Sequence, residues 1–416
     1  MPTLFLILSI IGAVLVFNAV RPVGVGPLAP LSFFPGWLTS ELAPHILVIH
    51  VIAVTVLVAL GAVEGTRGEV ALGLCVFSAA GLLWMIHQAR QSGAVCDAAL
   101  RAGLGDDYRS RVAPKFADRH DDTVPWRWWA LPFRFKHPDV TQVRNLRYAD
   151  HGVKGLLDVY HHRSKPSGSP VLLQIHGGGW VIGNKDQQAK PLMLRQSAQG
   201  WVCVSPNYRL SPRATFPDHL VDLKRAIAWI KDHIEEYGGD PNAIFVTGGS
   251  AGGHLTALVA LTANDPEFQP GFEHVDTSVV GAVPYYGVYD FINEAGTWSG
   301  EQRAKYFLQR TVMKVSRQEN RHIWEMASPV CLARSDAPPF FVLHGRNDSL
   351  APVKEARMFV DRLRAASQSE VAYAELPGTQ HAFEVFGSIR AAHVIRAVGR
   401  FLDVVYSTYL SERVEQ

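Results

Sequence analysis

A serine lies at the centre of the glycine-rich segment Gly248–Gly252, which reads GGSAG and matches the pattern G-x-S-x-G. The apolar run Ile244–Thr247 before it predicts a strand, and His254–Thr262 after it predicts a helix. A serine on a sharp strand-to-helix turn has an exposed hydroxyl beside a helix N-terminus, where developing negative charge is stabilised. The turn therefore predicts that Ser250 is a catalytic nucleophile, against the alternative of a plain tight turn.

A second glycine-rich segment, His176–Trp180, reads HGGGW and follows the predicted strand Val171–Ile175. Acyl transfer needs backbone N–H donors that point at the developing oxyanion, and a run of glycines presents them without side-chain obstruction. Together with the serine turn, this segment indicates acyl transfer rather than a purely structural loop.

A serine nucleophile needs a general base, and the base needs a group that orients it. Asp348 follows the predicted strand Phe340–His344, and His381 follows the predicted strand Val371–Glu375. The chain order serine, aspartate, histidine and its approximate spacing suit a catalytic triad whose members lie in loops at strand ends.

Strands and helices alternate from about Val143 to the end of the chain. This alternation predicts an α/β fold in which helices cover both faces of a mostly parallel sheet. The remaining strand candidates are Val143–Tyr148, Leu156–Tyr160, Trp201–Ser205 and Val279–Val283, and the remaining helix candidates are His219–Glu235, Lys354–Ala366 and Ile389–Tyr409.

With these motifs in order, the chain resembles the α/β-hydrolase esterases related to hormone-sensitive lipase, over roughly residues 143–410. The HGGGW and GGSAG segments carry the resemblance, together with Tyr208–Pro212 (YRLSP), Phe216-Pro217 and Gly239–Pro241. One position departs from the family's pattern, because many relatives have Asp or Glu directly before the serine and this chain has Gly249.

The resemblance implies an α/β-hydrolase fold and a role for each site residue. Ser250 would be the nucleophile, His381 the general base and Asp348 the group that orients it. The oxyanion hole would be built by the N–H groups of Gly178, Gly179 and Ala251, with Gly177 shaping the turn.

The balance of charge excludes several other classes of protein. Lys and Arg total 40 and Asp and Glu total 38, which leaves no broad basic surface for nucleic acid. The four cysteines form no C-x-x-C pair, and the chain lacks an H-E-x-x-H motif, a Walker A motif and a Rossmann fingerprint. We therefore expect no metal, no cofactor and no nucleic-acid partner.

The N-terminal part is poor in charge, with only five Asp, Glu, Lys or Arg among residues 1–87. Its apolar runs Leu4–Val20, Ala43–Val63 and Val70–Ile86 predict about three transmembrane helices. The first run could instead be a signal peptide, and the third a buried core helix. Residues 22–36, rich in proline and glycine, predict a loop.

These patterns predict three parts: a transmembrane region at 1–87, a juxtamembrane connector at 88–142 and a catalytic domain at 143–416. The connector and Phe291–Met326 could contribute to a cap over the site. This division predicts that residues 1–87 anchor the protein and take no part in its chemistry. Arg21, Arg90 and Arg101 favour a cytoplasmic catalytic domain under the positive-inside rule.

The sequence as a whole predicts a multi-pass membrane protein that is a serine carboxylesterase or lipase. It would cleave a small lipophilic ester at the lipid bilayer through an acyl-enzyme intermediate. Two alternatives stay open on the same fold: an amide or peptide hydrolase of formamidase-like activity, and a non-catalytic ligand-binding protein.

Overall fold

A computed structural model describes residues 1–24, 28–119, 123–297 and 306–415 of the chain. Its centre is an eight-stranded sheet. The strands are β1 (Val140–Arg147), β2 (Leu156–His162), β3 (Ser169–Ile175), β4 (Val202–Pro206), β5 (Gly239–Gly249), β6 (Gly281–Tyr285), β7 (Phe340–Gly345) and β8 (Val371–Leu376).

The strand order is β1-β2-β4-β3-β5-β6-β7-β8. The β1–β2 and β2–β4 pairs are antiparallel, and every other neighbouring pair is parallel. The central strands are apolar on both faces: in β3, Val171 and Leu173 face one core and Leu172 faces the other. Two-sided burial is what a parallel sheet requires. The predicted α/β fold with a mostly parallel sheet is therefore confirmed.

Helices cover both faces of this sheet. The helices concerned are α4 (Gly65–Leu104), α6 (Lys190–Ala198), α7 (Asp218–His233), α8 (Ala251–Leu261), α9 (Arg321–Met326), α10 (Val353–Ala366) and α11 (Ile389–Glu415). One face of the sheet packs against α7, α8 and α10, and the other face packs against α6, α11 and the C-terminal end of α4.

Five helices precede the sheet: α1 (Pro2–Val20), α2 (Ala29–Glu41), α3 (Ala43–Ala59), α4 (Gly65–Leu104) and α5 (Trp126–Ala130). By length and composition, α1 and α4 could each cross a membrane. The α2–α3 pair, bent by 83°, would be a third candidate if it forms one span.

The predicted loop at residues 22–36 is wrong over much of its length, because α2 begins at Ala29. Pro30 lies in the first turn of α2, where a missing N–H costs nothing. Pro35 lies inside the helix, where it is tolerated. A Cβ atom added at Gly36 would lie 3.1 Å from Asn18 Nδ2, so the glycine lets α2 approach α1 closely. Tertiary packing has overridden the local turn signals.

The helix α4 runs through the predicted boundary between residues 87 and 88. At 40 residues it is about 60 Å long. Its C-terminal half places Cys96, Leu100 and Leu104 on one face, at a spacing of four residues, and all three are buried against the sheet. The charge-poor composition therefore ends at residue 87 within one helix, whose two halves have different surroundings. In this way α4 joins the N-terminal helices to the sheet.

Candidate active site

Ser250 lies at the turn between β5 and α8. Its backbone has φ 60° and ψ −123°, a combination that residues other than glycine rarely adopt. The Ser250 N–H donates to the Tyr285 carbonyl oxygen at 3.0 Å, which fixes the turn against the end of β6. This strained turn presents the Ser250 side chain at the carboxyl edge of the sheet, beside the N-terminus of α8.

His381 and Asp348 meet at the same edge, in the loops after β8 and β7. His381 Nδ1 lies 2.6 Å from Asp348 Oδ2. Asp348 Oδ1 accepts the N–H groups of Leu350 and Ala351, each at 2.8 Å. His344 Nε2 lies 3.4 Å from Asp348 Oδ2. The structure thus brings this predicted pair together.

The Asp348 carboxyl is ionised at neutral pH. Burial alone would raise its pKa, but the neighbouring His381 and His344 outweigh burial and hold the pKa below its usual range. An ionised carboxylate can only accept a hydrogen bond, so His381 Nδ1 donates to it. That tautomer leaves His381 Nε2 free to accept a proton, as a general base requires.

The predicted oxyanion loop lies against the serine turn. A Cβ atom added at Gly177 would be 3.1 Å from the Ser250 Cβ atom. The Gly177 N–H donates to Gln188 Oε1 at 2.6 Å, which suits a role in shaping the turn. Within the described ranges, the N–H groups of Gly178, Gly179 and Ala251 have no hydrogen-bond acceptor. Gly178 has φ +114°, a conformation that only glycine adopts readily.

Tyr286 is a site residue that the sequence did not single out. It follows β6 directly, and its ring centroid lies 4.3 Å from that of His381. Its hydroxyl donates to the buried carboxylate of Glu384. A Cβ atom added at Gly249 would lie 2.5 Å from Tyr286 Oη, so the glycine before the nucleophile makes room for this tyrosine. No sequence motif marked it, and the strand predicted at Val279–Val283 ends three residues before it.

Burial raises the pKa of Glu384 to about 7, although the hydrogen bond from Tyr286 acts in the opposite direction. Gln380 fixes the adjacent loops, since its Oε1 accepts the N–H groups of Ser349 at 2.8 Å and of His381 at 2.9 Å. These contacts tie the two loops that carry Asp348 and His381 into one unit.

The N-terminal helices also reach these loops. Asn347 Nδ2 donates to the Val20 carbonyl oxygen at 3.1 Å, and the Phe33 ring packs on the His381 ring. The predicted division kept residues 1–87 apart from the chemistry, and these contacts place Val20 and Phe33 beside loops of the candidate site. No sequence signal marked Phe33 as a site residue, because the proline and glycine residues around it predict a loop and not a helix.

The predicted cap is described only in part, because residues 298–305 of Phe291–Met326 lie outside the described ranges. Within the rest, Phe307 comes close to the oxyanion loop: its Cζ atom would lie 3.8 Å from a Cβ atom added at Gly179. This segment therefore borders the site.

Comparisons with known proteins identify the family and the fold. The sequence profile of the BD-FAE family matches residues 157–363. The chain is 44% identical to "Probable carboxylic ester hydrolase LipM" of Mycobacterium tuberculosis, over 97% of this chain and 93% of that protein. It is 41% identical to "Esterase LipQ" of the same organism, over 80% of this chain and 79% of that protein. Among solved structures, native esterase 2 of Thermogutta terrifontis superposes with a TM-score of 0.52 at 23% identity, over 66% of this chain and 94% of that one, which shows the fold.

Proposed function

The chain belongs to the family of carboxylic ester hydrolases that includes LipM and LipQ, and we propose that it is a membrane-anchored serine esterase acting on small lipophilic esters. The family membership confirms the predicted ester hydrolase and the predicted resemblance. The single observation that carries the proposed mechanism is the 2.6 Å contact between His381 Nδ1 and Asp348 Oδ2, at the sheet edge that presents Ser250.

In the first half of the reaction, Ser250 Oγ attacks the ester carbonyl carbon while His381 Nε2 takes the hydroxyl proton. The carbonyl oxygen becomes an oxyanion. The C–O bond to the alcohol then breaks, and His381 returns the proton to the leaving alkoxide. The acyl group stays on Ser250 Oγ as an ester.

In the second half, His381 Nε2 takes a proton from water, whose oxygen attacks the acyl carbon. The bond to Ser250 Oγ breaks, Ser250 regains its proton from His381, and the acid leaves. Asp348 stabilises the imidazolium that forms in both halves. The N–H groups of Gly178, Gly179 and Ala251, which have no acceptor in the part of the chain that the structure describes, supply donors for both oxyanions.

Membrane anchoring is supported by the outward faces of the N-terminal helices. Val14 on α1, Ile49 on α3 and Val76 on α4 are each at least 60% exposed, and many other large apolar side chains on these helices are exposed as well. Such a surface is unfavourable in water and suits the hydrocarbon core of a bilayer. The distribution of arginines supports a cytoplasmic catalytic domain.

A matched pair of substrates tests this function against amide hydrolysis. The full chain, purified in detergent, is assayed with p-nitrophenyl butyrate and with butyryl p-nitroanilide, which share an acyl group and a p-nitrophenyl ring. We expect hydrolysis of the ester to dominate. A higher kcat/KM for the anilide would favour an amide hydrolase, and turnover of neither by folded protein would favour a non-catalytic role.

A further inference from the structure

The helix α2 places an aromatic face on the catalytic loops. The Phe33 ring lies edge-on to His381, with ring centroids 5.8 Å apart and an interplanar angle of 82°. Trp37, one turn later, stacks on Phe33 at 5.7 Å and contacts Phe386 at 5.2 Å. Phe386 and His381 belong to the same loop before α11, so α2 covers this loop with two aromatic side chains that lie one turn apart.

A buried ion pair fixes the C-terminal end of α2 to the catalytic domain. The Glu41 carboxylate pairs with the Arg390 guanidinium and accepts the Ser388 hydroxyl at 2.7 Å. Arg390 is fully buried and Glu41 is 4% exposed. A buried pair of opposite charges is strongly destabilised when one partner is lost, so α2 has one favoured position.

The N-terminal end of α2 is held through α1. Asn18 Nδ2 donates to the Ser32 carbonyl oxygen at 2.8 Å, and the Ser32 hydroxyl donates to Asn18 Oδ1 at 2.6 Å. At the end of α1, the Val20 carbonyl oxygen accepts a hydrogen bond from Nδ2 of Asn347, the residue before Asp348. Because both of its ends are fixed, α2 has a defined position beside His381.

Three other segments near the site carry exposed apolar side chains. Ile182 is 68% exposed and lies beside Gly178, Leu350 is 40% exposed two residues after Asp348, and Phe307 is 39% exposed beside Gly179. Exposed apolar side chains beside a site suit a ligand that covers them with hydrocarbon.

From these contacts we infer that α2 forms one wall of the substrate site, and that Phe33 is a specificity-determining residue for the hydrocarbon chain of a lipophilic ester. The inference rests on the proposed esterase activity and names the part of the chain that selects its substrates. Because α2 packs against the apolar helices α1 and α3, a hydrocarbon chain lying along Phe33 would lie between these helices and the loop that bears His381. The substrate class is a lipophilic ester whose hydrocarbon chain is long enough to lie along Phe33.

The test compares two phenylalanines of the same helix. Phe33 is 6% exposed and contacts His381, whereas Phe34 is 59% exposed and serves as the matched control. The full-length wild type, Phe33→Ala and Phe34→Ala are assayed in detergent with p-nitrophenyl acetate and p-nitrophenyl decanoate. The measured quantity is the ratio of kcat/KM for decanoate to kcat/KM for acetate.

We expect Phe33→Ala to lower this ratio about tenfold, since the loss of a few apolar contacts in a pocket changes discrimination by that amount. The change should lie mainly in KM, and Phe34→Ala should keep the wild-type ratio. Equal ratios in Phe33→Ala and Phe34→Ala would overturn the inference.

The variant Phe33→Leu keeps most of the packing volume, and it is included in case Phe33→Ala does not fold. Labelling with a fluorophosphonate gives the fraction of active sites in each preparation, so rates refer to folded enzyme. If Phe33→Ala does not fold, an unchanged ratio in Phe33→Leu overturns the inference, and a ratio lowered at least threefold supports it. If the wild type hydrolyses neither ester, the proposed function fails instead, and the two failures are distinct.

Discussion

The Phe33 ring packs edge-on against the imidazole of His381, and the two ring centroids are 5.8 Å apart. The Tyr286 ring also contacts this imidazole, with ring centroids 4.3 Å apart. The proposed base is therefore held by aromatic rings from the first helices and from the central sheet, as well as by its hydrogen bond to Asp348. Close packing on these sides limits rotation of the imidazole, which keeps Nδ1 on the carboxylate and Nε2 available.

The 2.6 Å contact between Asp348 and His381 predicts a large catalytic effect. Asp348→Asn replaces an acceptor by an amide that can donate to Nδ1, so His381 would adopt the wrong tautomer. We expect kcat to fall on the order of 10³- to 10⁴-fold. Asp336→Asn, which alters an exposed ion pair with Arg334, should keep the wild-type kcat. Similar rates for the two variants would remove Asp348 from the mechanism.

The buried pair of Glu41 and Arg390 predicts that the N-terminal helices stabilise the catalytic domain. Glu41→Ala leaves the Arg390 guanidinium buried without its carboxylate, which should cost about 3–5 kcal/mol in the free energy of unfolding. Glu64→Ala removes an exposed carboxylate between α3 and α4 and is the control. Thermal unfolding in detergent measures both. Equal melting temperatures would show that α2 is not anchored through Glu41.

Gly249 is predicted to be required because of Tyr286. In Gly249→Ala the new Cβ atom would meet Tyr286 Oη at 2.5 Å and two ring carbons at 2.8 Å. Tyr286 must then move, and His381 with it, so we expect kcat/KM to fall about 10- to 100-fold. Gly73→Ala adds the same methyl group to open space on α4 and should have no effect. Wild-type activity in Gly249→Ala would contradict the proposed coupling of Tyr286 to His381.

Glu384 predicts a specific pH dependence of stability. Its pKa is raised by burial to about 7, above the usual value of 4.5, so between these values the folded protein binds the additional proton. The free energy of unfolding should therefore fall as pH rises through this window, by about 3 kcal/mol for this group. In Glu384→Gln the loss between pH 5 and 7.5 should be smaller.

Urea unfolding at several pH values measures this slope. Glu412→Gln, at an exposed position of α11, is the control and should keep the wild-type slope. If Glu384→Gln also kept that slope, the Glu384 carboxyl would not be the group that titrates.

Local sequence patterns were enough to predict the sheet and the arrangement of the site's loops. The strand predicted at Val371–Glu375 is found at Val371–Leu376, and the helix predicted from Ile389 begins there. These elements combine a clear hydrophobic period with glycine or proline at their ends, so local and tertiary preferences agree. Because parallel strands share a carboxyl edge, the loops that bear Ser250 and His381 could be expected to meet.

The contacts that cross between distant segments could not be predicted in the same way. Residues 29–41 have the composition of a loop, and they form a helix because α1 and the catalytic loops supply partners such as Asn18 and Arg390. Tyr286 has no motif around it, and only the position of its ring beside His381 reveals its importance. Both cases depend on tertiary packing, which periodicity in a single sequence does not encode.

The central claim is that Ser250 carries the acyl group during ester hydrolysis. The most direct measurement uses full-length wild type and Ser250→Ala, each incubated with p-nitrophenyl butyrate, with release of p-nitrophenol followed and the quenched protein analysed by mass spectrometry. We expect wild type to carry a butyryl group on the peptide that contains Ser250, and Ser250→Ala to carry none and to lose turnover on the order of 10⁶-fold. Residual activity above about one per cent in Ser250→Ala, or a butyryl group on another residue of the wild type, would contradict the account.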